Sequence, residues 1–129
     1  MKLTNQTAFN QVAEHLIKQG RKATDINSPC MYQIKLEDGT ILKCAIGCLI
    51  PDHLYEKRFE GRTIGRLLLE NEVDELAAHL DNVDYLLLED LQAAHDYAGN
   101  NKEAVVENFK ASLLNVAKTF KLEPPTCLQ

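Results

Sequence analysis

The sequence predicts an α+β domain: an N-terminal helix, a two-stranded antiparallel hairpin, and about five further helical segments packed on the hairpin. Three observations predict it. Phe9, Val12, Ala13, Leu16 and Ile17 recur at helical spacing; Glu37-Asp38-Gly39 separates two short alternating runs; and from Ile64 onward apolar residues return every three or four positions. At 129 residues, 45% hydrophobic and 26% charged, the chain is sized for one core. Residues 1–122 are expected to form that domain, and residues 123–129, with Pro124 and Pro125, a flexible tail.

The elements follow in order. Thr4 is placed to cap the first helix and Gly20 to end it. Residues 21–29 carry no periodicity and read as a connection. The strands are expected over Cys30–Leu36 and Thr40–Gly47, and their register can be argued. A two-residue loop would set Ile34 opposite Lys43 and place a charge in the apolar column. A three-residue loop with Gly39 left-handed instead pairs Leu36 with Thr40, Ile34 with Leu42, Tyr32 with Cys44 and Cys30 with Ile46, leaving Gln33, Lys35, Ile41 and Lys43 on the other face.

Pro51 suits the first turn of a short helix reaching about Arg58, and Gly61 breaks it. Thr63 caps a segment from Ile64 to Glu70, and Val73, Leu76, Ala77 and Leu80 suggest one more turn of helix. A longer helix begins at Asp81 or Asn82, with Leu87, Leu91, Ala94 and Ala98 inward and Gly99 at its end. Asn100 or Asn101 caps the last helix, whose stripe is Val105, Phe109, Leu113, Val116 and Phe120.

Charge narrows the function. There are 14 basic and 19 acidic residues, and the net of −5 argues against a general phosphate-binding surface, hence against direct nucleic-acid binding. Divided at Ile64, the halves carry +2 and −7. The excess lies between Glu70 and Glu107, so Glu70, Glu72, Asp74, Glu75, Asp84, Glu89 and Asp90 are candidates for meeting a basic protein partner. A solvated helix face is the plainer account of the same residues. No apolar run has the length of a membrane span and no export signal opens the chain, so a cytoplasmic protein with reduced thiols is expected.

Cys30, Cys44, Cys48 and His53 are the densest set of metal-ligating types. Only Cys44 and Cys48 form a close pair, whereas structural zinc sites bring two, so no metal and no cofactor is expected. Cys48 before a helix start, with His53 five residues on, is the catalytic candidate for a Cys-dependent enzyme. Neither a Gly-rich dinucleotide motif nor a P-loop is present.

Three motifs stand out: Cys30-Met31-Tyr32, the junction Cys44-Ala45-Ile46-Gly47-Cys48-Leu49-Ile50-Pro51-Asp52, and Leu91-Gln92-Ala93-Ala94-His95-Asp96. In this combination, from about Phe9 to Val116, the chain resembles a group of small uncharacterised proteins encoded by bacteria and their phages. The resemblance implies no reaction or cofactor. It draws together Cys30, Tyr32, Cys44, Gly47, Asp52, His95 and Asp96 as a set. Packing the hairpin on the helix of Leu91 would bring Tyr32, Cys44 and His95 to one edge, with Asp52 capping the adjacent turn. Tyr32, Cys44, Asp52, His95 and Asp96 are therefore candidates for a small-ligand pocket, or for polar ties between hairpin and helix. The functional expectation is a non-enzymatic binding or interaction protein with an acidic partner-binding surface. A small-ligand or nucleotide-type binder and a Cys-dependent enzyme are its rivals.

Overall fold

The computed structural model describes residues 3–24, 31–69 and 74–129. Cys30, Glu70 and Glu72, with the expected pairing of Cys30 to Ile46, lie outside the described residues. Helix α1 spans Asn5–Gln19, where Thr4 and Thr7 form a reciprocal cap and Gly20 closes the end at φ 71°. Strands β1 (Gln33–Lys35) and β2 (Ile41–Lys43) form the antiparallel hairpin.

The expected register holds. Ile34 opposes Leu42 and Gln33 opposes Lys43. The Leu36 amide donates to Thr40 across the three-residue loop, and Gly39 sits at φ 92°, where a side chain would be strained. Leu42, Ile34 and Tyr32 turn inward, whereas Ile41 is half exposed.

The strands are shorter than the alternation suggests. The Cys44 amide still donates to the Tyr32 carbonyl, but the backbone turns there into helix α2, Ala45–Leu49, with Cys44 as its N-cap residue. The Cys44 sulfur accepts from the Gly47 amide at 3.2 Å, so a thiol fills the place usually taken by a hydroxyl. Gly47 is required by clearance: a Cβ there would stand 1.9 Å from the Tyr32 carbonyl oxygen. The helix expected from Pro51 is replaced by two 3-10 turns, Asp52–Leu54 and Lys57–Phe59. Helix formation comes earlier, where buried Ala45, Ile46 and Leu49 wedge beneath α1.

Helices α3 (Ile64–Leu69) and α4 (Asp74–His79) follow, and Thr63 Oγ accepts from the Arg66 amide as a cap should. Helix α5 runs Tyr85–Asp96 and starts at Asp84, later than expected, because the Asp84 carboxylate caps Leu86. Helix α6 runs Val105–Phe120; Asn101 organises a turn ahead of it but does not cap it, and Ala104 occupies the N-cap position. Helices α1, α2, α5 and α6 enclose the core of Phe9, Leu16, Ile46, Leu91, Phe109 and Leu113. Among the described residues, no helix is long and apolar enough to cross a membrane.

Residues 123–129, expected as a loose tail, fold back on α1. The Gln6 amide donates to the Glu123 carbonyl and accepts from its N–H, and Leu128 is buried in a closing 3-10 turn. Gln19 does the same for the hairpin, accepting from the Lys43 N–H at 2.9 Å and donating to the Lys43 carbonyl at 2.9 Å. An edge peptide thus finds partners in a side-chain amide instead of a third strand.

Gly47→Ala is expected to destabilise the protein by about 3 kcal/mol, because overpacking against backbone has no side chain to move aside. Thermal unfolding followed by circular dichroism checks this. A variant melting with the wild type would show that the hairpin and α2 do not need this approach.

Candidate functional site

The candidate residues separate into a buried relay, an adjoining cleft and a distant ion pair. His95 is fully buried at the last turn of α5. Its Nε2 accepts from the Ala23 N–H at 2.9 Å, which places the ring proton on Nδ1, and Nδ1 donates to Asp96 Oδ1 at 2.8 Å. Gln92, one turn back on the same helix, donates to the same carboxylate oxygen at 2.9 Å and accepts from the Ile46 N–H at 3.0 Å. One continuous chain of hydrogen bonds therefore joins the segment after α1, the end of α5 and the first turn of α2. The His95 ring stacks on Phe109 of α6, with centroids 6.2 Å apart.

Cys44 lies behind this relay, wholly buried. Burial pushes its thiol up to about 12 despite the opposing pull of the Gly47 amide and the Gln92 side chain. Cys48 is raised too, chiefly by burial, and its Sγ donates to the Ala45 carbonyl. A nucleophile must be a thiolate, so neither sulfur is prepared for attack. His53 is exposed on the following turn, and among the described residues no hydrogen bond joins it to Cys48. No group of three or more metal-ligating side chains converges among the described residues.

Asp52 departs from its expected place. Its side chain is 87% exposed and forms an ion pair with Lys43 Nζ at 2.8 Å, beside Gln33 and Ile41 on the hairpin's outer face. That bond holds its carboxyl below the usual range. Neither the pocket nor a helix cap includes it.

Tyr32 and Asp96 do meet, at a cleft of about 470 Å³ between α5 and the segment preceding α3. The Tyr32 hydroxyl donates to the Arg62 carbonyl, and burial raises its pKa first, with Cys44 and Glu60 adding to the effect. Glu60 is held by three donors: the Tyr32 and Gln33 amides and the Tyr55 hydroxyl. Arg62, Tyr85, Glu89, Gln92 and Tyr97 complete the polar wall. Tyr85 covers Gly65 of α3, whose missing side chain makes the room, and Tyr97 is 87% exposed at the rim.

Of the acidic candidates, Asp74, Glu75, Asp84, Glu89 and Asp90 are all exposed, Asp84 is occupied in capping α5, and Glu89 lines the cleft. Sequence reasoning missed Glu60, Arg62, Tyr85, Gln92 and Tyr97. Only Gln92 carried a local signal, its position one helical turn before Asp96. Compared with known proteins, the chain matches no family model, no curated protein and no solved structure.

Two outcomes follow. His95→Ala should cost about 4 kcal/mol in urea unfolding, since it opens a cavity and strands the buried Ala23 amide; a loss under ~1 kcal/mol would mean the relay is dispensable. Cys44 and Cys48 should resist alkylation in the native protein at pH 8, with peptide mass spectrometry reading each site. As pH rises from the ordinary thiol value of 9.0 toward 12, the unfolded chain loses the Cys44 proton while the folded chain keeps it, so stability should fall across that window.

Proposed function

We propose that the chain is a non-enzymatic cytosolic binding protein whose α5 cleft receives a cationic side chain from a basic protein partner. One observation carries this reading: Glu60, Glu89 and Asp96 line a single open cleft against one guanidinium, Arg62, and two partly exposed tyrosines, Tyr85 and Tyr97, stand in its wall. Carboxylates attract the cation over a distance, and an aromatic face or rim favours it at contact. Helix α5 continues this surface outward through exposed Leu86 and Asp90. An aromatic and aliphatic patch edged by charge is the composition that protein interfaces favour.

The burial of Cys44 and Cys48 supports binding over thiol catalysis. The His95 relay supports it in another way. By fixing the end of α5 against two other elements, it holds Glu89 and Asp96 in place before a partner arrives, and preorganisation lowers the cost of binding.

A fluorescein-labelled oligoarginine peptide tests the proposal by anisotropy. It should bind at low ionic strength and be released as salt is raised. Glu89→Lys and Tyr97→Ala, both exposed positions outside the core, should each weaken binding by about fivefold or more. No saturable binding, or binding indifferent to both substitutions, would overturn the proposal.

A further inference from the structure

A second cleft, of about 380 Å³, lies beyond the end of α1 and carries the opposite charge. Arg21 and Lys22 enter it from the segment that follows Gly20, and Lys102 enters from the loop between α5 and α6. Thr24 and Asn100 add polar groups, and Val105, the first residue of α6, closes one side. Among the described residues lining this cleft there is no carboxylate, in a chain with 19 of them. Lys102, the lone basic residue between Glu70 and Glu107, is one of the three that converge.

The three cations are held differently. Lys22 is fixed, its Nζ donating to the Asp96 carbonyl at 3.0 Å, which ties this wall to the end of α5. Arg21 and Lys102 are exposed and line the cleft from two separate segments of the chain. Gly20 and Gly99 line it as well, with no side chain of their own to fill it. Helix α6 begins at this cleft with Ala104 in the N-cap position and no side-chain cap, its Val105 amide already donating to the Asn101 carbonyl, so the cleft's charge comes from its side chains.

From this convergence we infer that the cleft is a binding site for a small phosphorylated molecule. Three cations around a cavity of this size suit a group carrying two or more negative charges, and the guanidinium of Arg21 matches phosphate oxygens in pairs. Among the described residues lining the cleft none is aromatic, so the phosphate group, not a stacked base, is what it recognises. The site is distinct from the carboxylate cleft and stands or falls without it.

Isotope-labelled protein titrated with sodium pyrophosphate at low ionic strength tests the inference, with sodium sulfate titrated in parallel. Saturable binding of pyrophosphate at millimolar concentration or below, with shifted amide resonances at Thr24, Gly99 and Asn100, is expected. Arg21→Ala and Lys102→Ala should each weaken it about tenfold, while Lys118→Ala, on the exposed face of α6, should leave it unchanged. Absence of saturable binding would overturn the inference. So would shifts confined to other parts of the chain, or affinities for sulfate and pyrophosphate that match and ignore both substitutions. The wild-type resonance map decides the matter even if a variant fails to fold.

Discussion

The arrangement of this protein depends on a buried imidazole that has no water to turn to. His95 has one ring nitrogen that must accept and one that must donate, and it spends them on Ala23 and Asp96. Because a buried polar group left unpaired costs on the order of 1–3 kcal/mol, each partner is held as firmly as the ring itself. Asp96 then passes the constraint to Gln92, and Gln92 to the first turn of α2. Three segments far apart in sequence are registered against one another by hydrogen bonds whose directions admit little adjustment. Apolar packing of α1, α5 and α6 supplies cohesion, but cohesion alone would permit α5 to slide or rotate.

The junction between hairpin and α2 shows the same economy on the backbone. Cys44 ends the strand pairing through its amide and starts the helix through its sulfur, so one residue closes one element and opens the next. That arrangement holds only because Gly47 allows the helix to lie against the Tyr32 carbonyl. The cleft beside α5 is a by-product of these ties. Tyr32, Gln92 and Asp96 present to the cleft the sides that the relay and the hairpin leave open.

Elements whose signal was local were legible in the sequence. The Thr4 cap, the stripe of α1, the Gly39 turn and the pairing of Ile34 with Leu42 each follow from residues within a few positions of one another. What was not legible depended on distant partners. The alternation through Cys44 and Ile46 suggested a longer strand, yet those side chains are buried just as well by a helix once α1 and α5 lie above them. Pro51 was a sound helix-start residue placed where the chain forms 3-10 turns instead. In the candidate site, Asp96 lines the cleft with Tyr32 while His95 is buried apart from it on Ala23 and Asp96, and Asp52 was misplaced because its partner is Lys43 across the hairpin's outer face. Net charge is likewise blind to where charges gather. A total of −5 does not show that Arg21 and Lys22 line one cleft with Lys102, which lies 80 positions beyond Lys22.

The amide of Gln19 reaches the hairpin with its oxygen toward an N–H and its nitrogen toward a C=O. Exchange of that nitrogen for oxygen, as in slow deamidation, changes the shape hardly at all and sets one lone pair against another. The Lys43 N–H would keep its acceptor, while the Lys43 carbonyl would rest on its other partner, the His15 ring nitrogen at 2.8 Å. Chemical ageing at a single glutamine would thus remove one of the bonds by which α1 holds the hairpin, and leave the others.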